Sequence, residues 1–108
     1  MEERLSVQVS DALEARKNQT TERAKELAQK NFELLSHQIV AGEFYRSKED
    51  TLVVCTIQIM EPSDEVLKEA HFKALAGMYD EEGIVLLDLE WVQILGGALL
   101  LVAQLQVK

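Results

Sequence analysis

The last ten residues constrain the fold more than any other stretch. Leu99, Leu101, Ala103, Leu105 and Val107 are apolar at every second position, while Gln104, Gln106 and Lys108 take alternate places. A period of two belongs to a strand with one face buried, and a helix would scatter those polar residues around its circumference. Residues 84–95 read as a partner strand, with Gly96-Gly97 at the turn. A two-residue Gly-Gly loop would set Asp88 against Leu105 and Glu90 against Ala103. A three-residue loop, Gly96-Gly97-Ala98, pairs Leu89 with Leu105, Trp91 with Ala103 and Leu95 with Leu99. It also sets Asp88 across from Gln106 and Glu90 across from Gln104. A one-residue slip would flip side chains between faces, so the three-residue loop is the expected register.

Upstream, residues 51–60 are rich in β-branched side chains on both faces, as in a central strand. With Phe44, Tyr45 and Arg46 and a turn over 47–50 they form a first hairpin. Pro62 and Ser63 open a helix with Ser63 as cap, and Asp64 and Glu65 suit the positive end of its dipole. Val66, Leu67, Ala70, Ala74, Leu75 and Met78 form its buried stripe. A longer helix runs from about Ser10 to Ala41, with Ala24, Ala28, Phe32, Leu35 and Ile39 on one face and Gly42 as its left-handed terminator. Residues 17–23 contain no apolar side chain, so there the helix either projects into solvent or breaks, with Thr20 or Thr21 capping a second helix. Residues 5–9 alternate apolar and polar and read as a short N-terminal strand or as a lead-in to the helix. The expected fold is α+β, an antiparallel sheet of two hairpins with both helices on one face. All 108 residues fit one domain.

Charge narrows the function. Nineteen acidic against eleven basic residues give a net −8, a field that repels phosphate backbones and anionic membranes. Neither nucleic acid nor membrane is an expected direct partner. Residues 51–108 hold nine of the acids and three of the bases, a surface that suits solubility or a basic partner. The longest apolar run, residues 91–103, is short of the ~20 residues a bilayer span needs. The opening segment carries acids where a secretory signal needs positive charge. One cysteine leaves no disulfide framework and no multi-thiolate zinc site. The expected setting is the cytoplasm, without cofactor or metal.

Candidate site residues are few. Asp88 and Glu90, with Gln104 and Gln106, are the one polar cluster on an apolar hairpin. Paired carboxylates can do acid–base work when burial raises one pKa, but antiparallel sheets commonly keep one face wet, which is the simpler reading. Trp91 and His71 join Asp88 and Glu90 as the lining expected if the sheet curls round a ligand pocket. His37 reads as surface decoration, and His71 as the edge of a buried stripe. Cys55 reads as a small buried hydrophobe. Gly96-Gly97 lacks the Lys-Ser/Thr of a phosphate loop.

What remains is surplus apolar surface. Ile84, Leu86, Val92, Ile94, Leu100 and Val102 fall on the second face of the last hairpin, beyond the reach of two helices on the first. Such a patch marks a partner surface, and for a lone small chain the commonest partner is another copy. The leading expectation is a non-enzymatic interaction module acting as an acidic homodimer, with Val92, Ile94, Leu100 and Val102 at its interface. An acidic inhibitor that mimics nucleic-acid phosphates and a small ligand-binding or enzymatic cone are the alternatives.

Overall fold

The computed structural model describes residues 4–47, 50–58, 64–94 and 96–108. Element order is α1 (Leu5–Val40), β1 (Tyr45–Arg46), β2 (Thr51–Gln58), α2 (Glu65–Glu81), β3 (Ile84–Gln93) and β4 (Leu99–Val107). All four strands join one antiparallel sheet in the order β1-β2-β4-β3. The expected α+β fold is the observed one, with β2 between β1 and β4.

The expected N-terminal strand is not formed, because residues 5–9 are the first turns of α1. Val7 and Gln8 donate their amides to the Arg4 carbonyl. Once a helix is nucleated downstream, each further residue gains a hydrogen bond at little cost, whereas a strand here would need a sheet edge to join. The polar segment 17–23 does not break the helix either. Thr21 does not cap a second helix; its Oγ1 donates to the Lys17 carbonyl, 3.0 Å away, inside the same helix. Of the two sequence alternatives, projection into solvent is the one realised.

The buried positions of α1 are Ala24, Ala28, Asn31 and Leu35, spaced four, three and four, so one stripe faces the sheet. Gly42, at φ +79°, then closes the helix. Its amide bonds to the Ile39 carbonyl and the Glu43 amide to that of Gln38, the double closure of a Schellman motif. In α2 the buried residues Leu67, His71, Leu75 and Tyr79 recur every four positions. Val66, expected in that stripe, is exposed. The cap of α2 is Asp64, whose carboxylate accepts from the Val66 amide at 2.8 Å. The expected Pro62-Ser63 start lies outside the described residues.

Alternation places Leu99, Leu101, Ala103 and Leu105 against the helices, and all four are buried. The core gathers Ala28 and Leu35 of α1, Leu75 and Tyr79 of α2, Val54 of β2, Leu86 of β3, and Ala103 and Leu105 of β4. The β3–β4 register corrects the expected one. Asp88 pairs with Gln104, Glu90 with Val102, Leu89 with Ala103 and Trp91 with Leu101. The last paired residues are Gln93 and Leu99, and the Ile94 amide closes the turn onto the Ala98 carbonyl at 2.9 Å. Bracketed by Ile94 and Ala98, the turn keeps the expected three-residue length but is centred on Gly96 rather than Gly97, which moves every pairing by two. A slip of two returns every side chain to its own face, so alternation alone cannot separate these registers. Consecutive glycines with positive φ, Gly96 and Gly97, shape the turn. Leu95 lies outside the described residues.

A second correction concerns the far end of β3. The register shifts between Leu86 and Asp88, which leaves Leu87 as the extra residue of a bulge. Ile84 and Leu86, expected on the open face, consequently turn to the helix side. Leu86 is in the core and Ile84 packs against it.

Candidate functional site

The face of the sheet opposite the helices is built by the alternate residues of three strands. Register lays them out in rows. Ile57, Leu100 and Val92 form one; Cys55, Val102 and Glu90 the next; Val53, Gln104 and Asp88 the third. Tyr45 extends the third row across β1. The face is thus graded. It is wholly apolar at the Ile57 end, and the carboxylates are confined to the β3 border. Ile57 is 70% exposed and Cys55 is exposed, while Leu100 and Val102 are half-buried by their neighbours. A shallow groove of about 420 Å³ runs along the β1 side, with Tyr45, Val53, Cys55, Ile57 and Leu100 in its lining. Among the described residues both helices lie on the other face, with Ala28, Leu35 and Leu75 packed onto β2 and β4.

Asp88, Glu90 and Gln104 therefore share the open face, with Gln106 on the same side of β4. Of the residues expected at an interface, Val92, Leu100 and Val102 are adjacent there, and Ile94 is exposed just beyond the end of β3. Trp91 is not with them. Its partner Leu101 is a core residue, and its ring lies 5.8 Å from the His71 imidazole on the helix side. The sheet separates Trp91 and His71 from Asp88 and Glu90, so the four do not line a common pocket. Cys55, on the open face, is likewise parted from His71. It is exposed rather than the buried hydrophobe expected.

Behind the sheet lies a polar relay that the sequence reading missed. Gln58 Nε2 donates to Asn31 Oδ1 at 3.0 Å, and Asn31 Nδ2 meets His71 Nε2 at 3.0 Å. All three residues are buried. A donor amide at Nε2 requires a lone pair there, which places the imidazole proton on Nδ1. Among the described residues that Nδ1 has no hydrogen-bond partner. Burial lowers the His71 pKa to about 4, because the charged ring would be stripped of water. Two signals could have revealed the relay. Asn31 interrupts the 24-28-31-35 stripe, and His71 occupies the 67-71-75-79 stripe rather than its edge.

Tyr79 is the other buried polar side chain of α2. Its ring packs on Phe32 with centroids 4.9 Å apart, and among the described residues its hydroxyl has no partner in bonding geometry. Burial raises its pKa, and the nearby Ser36 side chain draws it partly back. Tyr79→Phe is expected to leave the fold intact and raise stability by up to about 1 kcal/mol, read from the urea midpoint, because an unpaired buried hydroxyl is removed. A loss of stability would instead mean that the hydroxyl is bonded.

A cleft of about 730 Å³ is an open furrow between α1 and α2 lined by Lys25, Glu26, Gln29, Lys73, Met78 and Glu81 among others. It brings mixed surface charges together but no buried polar group. Among the described residues no group of three His, Cys, Asp or Glu side chains is placed to hold a metal ion. No helix among them is long and apolar enough to cross a membrane. Comparison with protein-family models, with curated proteins and with solved structures finds no match to this chain.

Proposed function

We propose that this protein is a non-enzymatic interaction module that acts as a homodimer, with the open sheet face as its association surface. The observation that carries this reading is the apolar field of Ile57, Leu100, Val92, Cys55, Val102 and Val53 on the side away from both helices. Contiguous apolar surface on a water-facing sheet is costly unless another surface covers it. The net charge of −8 keeps such a face from indiscriminate aggregation without closing it. Charge also argues against nucleic acid as a direct partner. An exposed, unpaired Cys55 suits a reducing compartment such as the cytoplasm.

Light scattering across protein and salt concentrations tests the reading. The expected mass is that of a dimer, insensitive to salt because apolar contact dominates. Ile57→Lys and Val102→Lys each raise the dimer dissociation constant by at least about 100-fold, since each apolar contact is lost in both copies. Wild-type protein that stays monomeric at every concentration overturns the reading.

A further inference from the structure

Among the described residues a second apolar surface is also left open, and its length matches the first. Every residue of α1 from 5 to 19 is exposed. Leu5, Val9 and Leu13, at 71%, 47% and 63% exposure, recur every four residues and so share one side of the helix. An exposed Arg16–Asp64 ion pair at 3.9 Å touches this arm but buries none of its apolar side chains, and a helix of about 15 residues so thinly supported is marginal in water, so the arm needs a surface to lie on.

The arm cannot reach its own open face. A helix of 36 residues is about 54 Å long, and only the longest dimension of the 63 × 36 × 19 Å molecule accommodates it. It lies in the helix layer and runs past the end of the body, on the wrong side of the sheet. A two-fold axis in the plane of the sheet resolves this. It turns a second copy over beside the first, so that the partner's open face meets the projecting arm. The partner's arm then crosses the first copy's open face in return.

Dimensions agree with such an exchange. Fifteen helical residues span about 22 Å, close to the ~26 Å of an eight-residue strand. Two reciprocal seats bury on the order of 1,200 Å² in total, the lower end for a stable, specific interface.

We propose that two copies of this chain exchange arms, with Leu5, Val9 and Leu13 of each lying on the open sheet face of the other, over Ile57, Leu100 and Val102. The Asp88 and Glu90 carboxylates then border the seat of the helix. This rests on the homodimer reading above and names what covers the face.

The chain's one cysteine, Cys55, lies on that face and supplies a direct test. Val9→Cys in the full chain, treated with a short bismaleimide linker, is expected to give a covalent dimer bridged from position 9 of one copy to Cys55 of the other. Peptide mass spectrometry identifies the bridge, and adding Cys55→Ser abolishes it. A bridge only between two Cys55 thiols means that the sheet faces pack on each other, and one only between the two position-9 thiols means an arm-to-arm pair. Either overturns the proposal. In parallel, Val9→Glu with Leu13→Glu is expected to raise the dimer dissociation constant at least about 100-fold while the unfolding transition of the body persists. A dimer that survives this pair of changes overturns the exchange yet leaves the homodimer standing. A wild-type monomer overturns both.

Discussion

An Asn31→Ala chain is expected to lose about 4 kcal/mol of folding stability, read as a lower urea midpoint at unchanged slope. Asn31 is wholly buried and answers two neighbours at once, accepting from Gln58 and donating to His71. Truncation leaves the Gln58 amide and the His71 Nε2 lone pair buried without partners, each costing about 1–3 kcal/mol, with a small cavity besides. Domains of this kind are stable by only about 5–15 kcal/mol in total. Most of that loss is orphaned polarity rather than lost attraction. Replacing the whole relay by apolar side chains, Asn31→Leu with Gln58→Leu and His71→Phe, is therefore expected to recover the greater part of it. A single variant that unfolds within about 1 kcal/mol of wild type would show that water reaches the two abandoned groups.

Acid is expected to destabilise the fold through His71 well before the carboxylates dominate. The folded-state pKa is about 4, below the ordinary 6.5, so between those values the unfolded chain binds the extra proton. The stability contributed by a neutral His71 is complete above pH 6.5, falls as pH drops towards 4, and does not fall further below that. A shift of this size corresponds to about 3 kcal/mol. The same urea titration of His71→Gln, whose carbonyl can still accept from Asn31, isolates the term. The wild-type-minus-variant difference is expected to fall by that amount between pH 7 and 4. Parallel curves would mean that His71 is solvated or paired in the folded state.

Much of this architecture was legible because period betrays burial. The alternation of Leu99 to Val107 and the β-branched run of β2 gave two strands their faces, and Gly42 marked the end of α1. Where period was short or degenerate, legibility failed. Five alternating residues at the start of α1 were too few to outweigh a helix already nucleated beyond them. The β3–β4 register slipped by two because such a slip leaves every face unchanged. The bulge at Leu87, which carries Ile84 and Leu86 into the core, has no period to announce it.

The candidate site divides along the same line. Val92, Leu100 and Val102 could be assigned to one surface from alternation within a single hairpin. Val53, Cys55 and Ile57 could not be added to them, because the β2–β4 pairing joins segments some forty to fifty residues apart and no local pattern encodes it. The Asn31–His71–Gln58 relay is non-local in the same way, with one member from each of three elements. What the amino-acid sequence determined by itself is the set of elements and the buried side of each, since both follow from spacing along one chain segment. Only the tertiary structure decided which sides meet: that both helices share one face of the sheet, that Trp91 goes with His71 and not with Asp88, and that among the described residues nothing covers the arm of α1 or the opposite face. Those outcomes depend on contacts between distant segments, whose free energy is realised only when the whole chain has packed.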